Sequence, residues 1–206
     1  AMDYANPDAL VETNWLATHL DSQALRVIDA TYFLPSQNRN AAAEYHKRHI
    51  PGAIFFDIDD ISDKNVGLPH MAPDSATFKA KVEALGLGSD NKIIVYDANG
   101  GYCAAARAWW MFRAMGHQQV AVLDGGLPAW IDSNLATDKQ LDDRPLIGNF
   151  TANLDPELFC DFNVVLAATD DRNCTIMDAR STGRFYAREP EPRPGMRGGH
   201  MPNAKS

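Results

Sequence analysis

A short pattern of residues occurs twice in this chain, about 150 positions apart. The first copy joins Val27–Ala30 (VIDA) to His49–Ala53 (HIPGA), and the second joins Ile176–Ala179 (IMDA) to His200–Ala204 (HMPNA). The aspartate and the histidine are 20 residues apart in the first copy and 22 in the second. Each copy begins with a short apolar run that is typical of a buried strand. We therefore predict an internal structural repeat.

Between the two copies, apolar runs of strand length alternate with segments of helical period. This alternation predicts an α/β fold in which a mainly parallel sheet is flanked by helices. The predicted strands are Leu25–Asp29, Ala53–Phe56, Ile93–Tyr96, Val120–Asp124 and Thr175–Asp178. The predicted helices are Asn6–His19, Ala41–Arg48, Asp74–Leu85, a helix from Ala104 and a helical pattern over Pro156–Thr169, and 134–152 is predicted to be a linker without strong period.

The two copies continue for very different lengths. The first runs on for some 85 residues after Ala53, whereas two residues follow Ala204 in the sequence. We expect a complete N-terminal domain over 1–140, a linker with a lead-in helix over 141–159 and the beginning of a second, truncated domain over 160–206. A lone strand with a long polar loop cannot bury a core. The second copy is therefore expected either to pack on a polypeptide that carries the remainder of the domain, with the C-terminal remainder of the same protein as the expected partner, or to be held against the first domain.

Composition narrows the classes of partner. A net charge of -8 argues against nucleic acid, which favours basic surfaces. No apolar run reaches the roughly 18 residues of a membrane span, and the N-terminus lacks a signal-peptide pattern. Three scattered cysteines without a CxxC pair argue against a disulfide framework and against a zinc site. We expect no metal, and a location in the cytoplasm or, in a eukaryote, the mitochondrial matrix.

The segment Ile93–Phe112 has the architecture of a reactive-cysteine site. An apolar strand leads through a small-residue loop to Cys103 at the start of a helix, where free backbone N–H groups can stabilise a thiolate. However, Cys103 is followed by Ala104–Ala106 and then Arg107. Alanines favour plain helix, whereas an anion-binding loop needs glycines that turn several N–H groups inward. We predict that Cys103 is a small buried side chain without a catalytic role.

Further motifs carry a resemblance to a known family. The chain resembles the two-domain sulfurtransferases, namely rhodanese (thiosulfate sulfurtransferase) and 3-mercaptopyruvate sulfurtransferase. That resemblance implies two rhodanese-like domains, an active cysteine in a loop of the second domain beyond Ser206, and no metal or organic cofactor. The motifs are Asp29 with HIPGA, VYD at 95–97, ARAWWMF at 106–112, LDGG at 123–126 before Trp130, TGRF at 182–185, EPEPR at 189–193, and GHMPNA. The EPEPR form is more similar to the mercaptopyruvate branch.

The resemblance also implies roles for four side chains. Arg184 and Arg193 match the arginines that hold the anionic substrate, and the planar fork of a guanidinium can hold a carboxylate or a sulfonate through two hydrogen bonds. Asp59 and His70 match a pair proposed to assist the nucleophile as a proton relay. The histidines and aspartates of the two repeated patterns are expected to be structural.

The activity implied is a two-step transfer. A cysteine takes sulfane sulfur from 3-mercaptopyruvate or thiosulfate, and the persulfide then passes it to cyanide, a small thiol or thioredoxin. The alternative is a non-catalytic rhodanese-like module for binding or regulation. Retention of Arg184 and Arg193 favours the enzyme, and the choice between the two sulfur donors stays open.

Overall fold

The computed structural model describes residues 5–141 and 148–206. They divide into a first unit that ends at Asp155 and a second unit, Pro156–Ser206. The first unit contains a five-stranded sheet in which every neighbouring pair is parallel, with strand order β1-β5-β4-β2-β3. The strands are β1 Leu10–Val11, β2 Leu25–Asp29, β3 Ile54–Phe55, β4 Lys92–Tyr96 and β5 Val120–Leu123. The predicted α/β fold with a mainly parallel sheet is confirmed.

Helices cover both faces of this sheet. Successive side chains of a strand point to opposite faces, so Ile93 and Val95 pack in one cluster with α3 and α4, while Ile94 and Tyr96 pack in the other with α1, α2 and α5. The helices of the first unit are α1 Thr13–His19, α2 Ala41–Lys47, α3 Ser75–Ala84, α4 Ala104–Ala114 and α5 Gly126–Asp132, with short 3-10 turns at Pro7–Ala9 and Pro35–Gln37. None of the helices in the described residues is long and apolar enough to cross a bilayer.

The predicted helix over Asn6–His19 is wrong in its first half. Leu10 and Val11 form β1, which pairs with β5 in the register Leu10↔Val122, and α1 begins only at Thr13. The apolar pair fits a helical period as well as a strand, and the free edge of β5 decides between them. Tertiary pairing therefore overrides the local pattern.

Part of the predicted linker packs on the first unit. Phe150 is fully buried, with its ring 5.7 Å from that of Phe78 and 6.0 Å from that of Phe112. Its backbone N–H donates to Glu83 at 2.9 Å. Residues 142–147 lie outside the described residues, and the expected boundaries of the linker, 141 and 159, stay predictions.

The second unit has little regular structure. Its helices are α6 Phe162–Ala168 and α7 Thr182–Phe185, so the helical pattern predicted over Pro156–Thr169 forms only in part. The predicted strand at 175–178 is reduced to one parallel bridge, Met177↔Lys205. Among the described residues no further strand lies beside this bridge to extend it.

The repeated pattern has the same local geometry in both units. Met177↔Lys205 has the register of Ile28↔Ile54 between β2 and β3. In each copy a proline turn comes directly before the second residue of this pair, and it is closed by an N–H to C=O bond of 2.9 Å in the first unit and 3.1 Å in the second. The residue after each proline has a left-handed backbone, with φ of 75° at Gly52 and 61° at Asn203, as a type II turn requires.

The histidine of each pattern is structural. His49 stacks on Tyr45 with centroids 4.2 Å apart, and its Nδ1 lies 2.7 Å from the Tyr45 carbonyl oxygen. His200 stacks on Phe185 at 3.8 Å, with Nδ1 2.9 Å from the Phe185 carbonyl oxygen. Each ring therefore ties the proline turn to a helix, and the two contacts make Phe185 the counterpart of Tyr45.

Candidate active site

A cavity of about 400 Å³ lies at the carboxyl ends of β2, β3 and β4 in the first unit. This edge is the usual position of ligand sites in parallel sheets, since the loops that follow the strands converge there. The side chains that line the cavity include several with donor, acceptor or titratable groups. They are Tyr32, Gln37, His70, Asn99, Cys103 and Arg107.

His70 is held between two polar side chains. Asp59 Oδ1 lies 3.2 Å from His70 Nδ1, and the Tyr32 hydroxyl lies 3.0 Å from Nε2. The rings of Tyr32 and His70 also meet edge to face at 4.6 Å. A carboxylate beside Nδ1 favours the proton on that nitrogen, and Nε2 is then the acceptor for the tyrosine hydroxyl. The structure thus brings the predicted Asp59–His70 pair together and adds Tyr32 to it.

Tyr32 was not among the predicted site residues. The available signal was its position three residues after the end of β2, on the sheet edge where ligand sites form. Its partner is 38 residues away in the chain. The path of the intervening loop decides that contact, and no local pattern encodes that path.

Cys103 caps α4, but the prediction that its side chain is buried is wrong, because it is exposed. Partial desolvation raises the pKa of the thiol, and the Asp97 carboxylate contributes to the same shift. A thiol with a raised pKa is a poor nucleophile at neutral pH. The structure therefore gives Cys103 no sign of activation.

The backbone N–H groups around Cys103 are occupied by a carboxylate of the chain itself. Asp97 is fully buried, and its Oδ1 accepts from the N–H groups of Asn99 at 2.9 Å and Gly101 at 2.8 Å. Its Oδ2 accepts from the N–H of Ala105 at 2.8 Å. These donors would otherwise form the anion site that a helix N-terminus offers. The loop therefore contains its anion already.

Arg107 lies on α4 and lines the same cavity. Its Nη2 donates to the backbone carbonyl of His70 at 2.7 Å, and its guanidinium lies 5.5 Å from the centroid of the Trp110 ring. Desolvation lowers the pKa of Arg107. The neighbouring Trp109 packs on the core and donates from Nε1 to the Val120 carbonyl at 3.1 Å.

The predicted substrate arginines lie in the second unit. Arg184 on α7 donates from Nε and Nη2 to one oxygen of Glu191, at 3.0 and 2.6 Å. The other oxygen of Glu191 accepts from Arg180 at 2.9 Å, and only 5% of the Glu191 side chain is exposed. Arg193 is half-buried and makes no hydrogen bond or ion pair with another described residue. Glu191 belongs to the EPEPR motif and was not among the predicted site residues.

Asp178, the aspartate of the second repeated pattern, pairs with Arg180. Hydrogen bonds from the Arg180 side chain and backbone hold the pKa of Asp178 at about 2. Arg180 also donates to the Gly199 carbonyl at 2.6 Å, next to the second proline turn. Arg180 therefore links Asp178, Glu191 and that turn. Among residues 5–141 and 148–206, no group of three metal-ligating side chains is close enough to hold a metal ion.

Comparison with known proteins identifies the family. Residues 12–133 match the model of the rhodanese-like domain. The 3-mercaptopyruvate sulfurtransferase of Escherichia coli K12 is 43% identical over 195 residues, which cover 94% of this chain and 69% of that protein. The human 3-mercaptopyruvate sulfurtransferase is 40% identical over 199 residues, covering 94% of this chain and 67% of that protein.

A plant relative and a solved structure agree with this placement. Thiosulfate/3-mercaptopyruvate sulfurtransferase 1, mitochondrial, of Arabidopsis thaliana is 36% identical over 218 residues, covering 96% of this chain and 57% of that protein. The crystal structure of SseA, a 3-mercaptopyruvate sulfurtransferase of Escherichia coli, superposes with a TM-score of 0.85 at 39% identity, covering 95% of this chain and 73% of that one. The chain therefore belongs to the rhodanese-like family, among the 3-mercaptopyruvate and thiosulfate sulfurtransferases.

Proposed function

We propose that this chain belongs to an enzyme that moves sulfane sulfur from 3-mercaptopyruvate to a thiophilic acceptor through a persulfide, on a cysteine outside residues 1–206. The supporting observation is the pairing of Asp59 with His70 beside the cavity, in a chain that resembles mercaptopyruvate sulfurtransferases in sequence. The raised pKa of Cys103 and the occupied loop around it argue against a nucleophile in the first unit.

The proposed chemistry has two steps. A cysteine thiolate attacks the sulfur of 3-mercaptopyruvate, the carbon–sulfur bond breaks, and its electron pair leaves with the pyruvate enolate. The enolate takes a proton and becomes pyruvate. An acceptor such as cyanide, a small thiol or the thiol of thioredoxin then attacks the outer sulfur of the persulfide and releases the thiolate.

The Asp59–His70–Tyr32 chain suits a proton relay for the first step. Asp59 lies beside Nδ1, and Nε2 accepts from the Tyr32 hydroxyl, so the ring can take up a proton that passes from the cavity through Tyr32. The carboxylate of Asp59 would stabilise the imidazolium that forms when Nε2 takes up this proton. In our proposal Tyr32 is therefore part of the relay.

Arg184 and Arg193 are proposed to bind the carboxylate of the substrate. A guanidinium has five N–H donors, and Glu191 takes two of those of Arg184, so three are left for a ligand. Arg193 has all of its donors available with respect to the described residues. A carboxylate that bridges the two arginines would neutralise them and be fixed in orientation.

We also propose that the second unit is the start of a second rhodanese-like domain, with the boundaries expected from the sequence. Its α6 exposes Phe162, Val164 and Leu166, and its single-bridge strand exposes Met177. Several large apolar side chains exposed on a short helix and a strand are typical of surfaces that further polypeptide covers. In a complete domain of this fold, neighbouring strands and helices would cover them.

The non-catalytic binding module remains the competing proposal. The observation in its favour is the Asp97 carboxylate, which occupies the backbone N–H groups of the loop around Cys103 and so argues against sulfur transfer in the first unit. The two proposals differ in what happens to 3-mercaptopyruvate, since a binding module releases no pyruvate. Compartment and physiological acceptor also stay proposals.

Persulfide mapping tests the proposed function. The natural polypeptide that contains residues 1–206 is incubated with 3-mercaptopyruvate without acceptor and analysed by peptide mass spectrometry. We expect one additional sulfur atom on a cysteine outside this segment, and none on Cys103, Cys160 or Cys174. A Cys103→Ser variant should release pyruvate at the wild-type rate. Additional sulfur on Cys103, or loss of activity in Cys103→Ser, would contradict the proposal.

The substrate role of Arg184 is tested by Arg184→Ala in the same polypeptide. Loss of a charge-assisted, two-point contact to a carboxylate should lower kcat/KM for 3-mercaptopyruvate about 10- to 100-fold, mainly through KM. Arg188→Ala is the matched control, because Arg188 lies on Tyr186 at 5.0 Å and is exposed. Equal effects of the two substitutions would remove Arg184 from the site.

A further inference from the structure

Arg107 is a partly buried cation with few hydrogen-bond partners. Its Nε is enclosed and has no hydrogen-bond partner, and no carboxylate pairs with its guanidinium among the residues that the structure describes. Burial of a guanidinium without a compensating carboxylate costs folding free energy. An apolar side chain at this position would avoid that cost. The presence of a positive charge here therefore needs an explanation.

Stacking on tryptophan does not supply that reason. Arg113, on the same helix, lies 5.1 Å from the ring centroid of Trp109, much as Arg107 lies 5.5 Å from that of Trp110. The difference between the two arginines is the bond of 2.7 Å from Arg107 Nη2 to the carbonyl oxygen of His70. This bond joins a helix of the core to the loop that carries the histidine.

The loop needs an external support at this point. His70 has a φ of 60°, in the left-handed region that residues other than glycine rarely adopt. Such a conformation persists where surrounding contacts determine it. The segment 56–74 contains no helix or strand. Its first part is anchored by Ile58 and Ile61 in the core, whereas the bond from the Asp63 N–H to the Met71 carbonyl, 2.8 Å long and next to His70, joins the segment to itself.

We propose that Arg107 is a positioning residue, which fixes the backbone of His70 and so keeps the imidazole between Asp59 and Tyr32. Arg107 acts on the carbonyl, while Asp59 and Tyr32 act on the ring, so the backbone and the side chain of His70 are held from different elements. The inference rests on the proposed function only in giving His70 a role in proton transfer.

The test compares Arg107→Met with Arg113→Met in the chain of 206 residues by NMR. In Arg107→Met we expect loss of the nuclear Overhauser contacts between the Tyr32 and His70 rings, a change in the imidazole nitrogen shifts of His70, and exchange of the Asp63 amide about 10- to 100-fold faster. The backbone amides of α4 should exchange at the wild-type rate. Arg113→Met should leave all three readouts of the loop unchanged.

Two results would overturn the inference: unchanged ring contacts in Arg107→Met, or the same change in Arg113→Met. Should Arg107→Met fail to fold, Arg107→Leu replaces it, because leucine also favours helix and has no donor for the His70 carbonyl; wild-type ring contacts and wild-type exchange in that variant would equally refute the inference. Activity of the natural polypeptide is a separate readout. A displaced His70 with full kcat would refute the relay and leave the positioning role of Arg107 standing.

Discussion

Replacement of Asp97 by asparagine tests why the loop of the first unit holds no reactive cysteine. In Asp97→Asn, the amide oxygen can keep the bonds from Asn99 and Gly101, while the amide nitrogen takes the place of Oδ2. Its hydrogens then point at the N–H of Ala105, so one charge-assisted bond is lost and a buried donor is left unpaired. A flipped amide would lose two bonds instead of one. The expected cost is about 2–3 kcal/mol in the free energy of unfolding.

Urea denaturation followed by tryptophan fluorescence measures this loss of stability in the first unit. All four tryptophans of the chain lie in the first unit, so their emission reports its unfolding. Asp124→Asn is the matched control, since Asp124 follows β5 as Asp97 follows β4 but is exposed. The control should change stability by no more than about 0.5 kcal/mol. A loss below about 1 kcal/mol in Asp97→Asn would refute the assignment of Asp97 as the resident anion of the loop.

The same variant has a consequence for Cys103. The negative charge of Asp97 contributes to the raised pKa of the thiol, so its removal should lower that pKa and speed alkylation of Cys103 by iodoacetamide near neutral pH. Peptide mass spectrometry separates this reaction from those of Cys160 and Cys174, whose rates serve as internal standards. Unchanged alkylation of Cys103 would show that desolvation alone raises its pKa.

Two further perturbations probe packing and pH dependence. Phe150→Ala should destabilise the first unit by about 3–5 kcal/mol in the same fluorescence assay, because a fully buried ring between Phe78 and Phe112 is removed; a cost under about 1 kcal/mol would mean that the 148–155 segment is not part of that core. The pKa of Asp178, at about 2, lies below its ordinary value, so the stabilisation from its pairing with Arg180 is present above about pH 4 and is lost as pH falls through 2. NMR signals of the second unit should follow this profile, and Asp178→Asn should abolish it; a wild-type profile in that variant would contradict the assignment.

The parallel sheet was predictable because its central strands are uninterrupted apolar runs. Strands buried on both faces need no alternation of polar residues, and β4 and β5 show that composition directly. The strand at Leu10–Val11 was not predictable, since two residues form it and its existence depends on the free edge of β5. The burial of Phe150 was not predictable either, because a single aromatic residue in a segment without periodicity does not indicate whether it is buried.

The candidate site was predictable in part. Asp59 and His70 came from the family resemblance, and their distance of 3.2 Å shows that the loop brings them together. The contacts of Tyr32 and Arg107 with His70 were not predictable, because they join residues 38 and 37 positions apart through an irregular loop. Long-range hydrogen bonds of this kind depend on the path of the loop and not on residue type alone.

The counterpart positions also reveal a change of charge between the two units. The stacked rings align Tyr45 with Phe185, and this alignment places Glu44 where the second unit has Arg184. Glu44 is paired with Arg39 at 2.6 Å, whereas Arg184 is paired with Glu191. The same helix position thus carries an acid in one copy and a base in the other. An anion that binds at Arg184 would be repelled at Glu44, so only the second unit suits the anionic substrate of our proposal.

The similar length of the two repeated patterns conceals where their long loops lie. From the aspartate to the stacked ring there are 16 residues in the first unit and 7 in the second, whereas from that ring to the histidine there are 4 and 15. The additional residues therefore precede the helix in the first unit and follow it in the second. The first long loop carries Tyr32, and the second carries Glu191 and Arg193. Since the scaffold on either side is kept, each loop could acquire side chains without disturbing the turn that the histidine fixes, and in our proposal one loop serves proton transfer while the other binds the substrate.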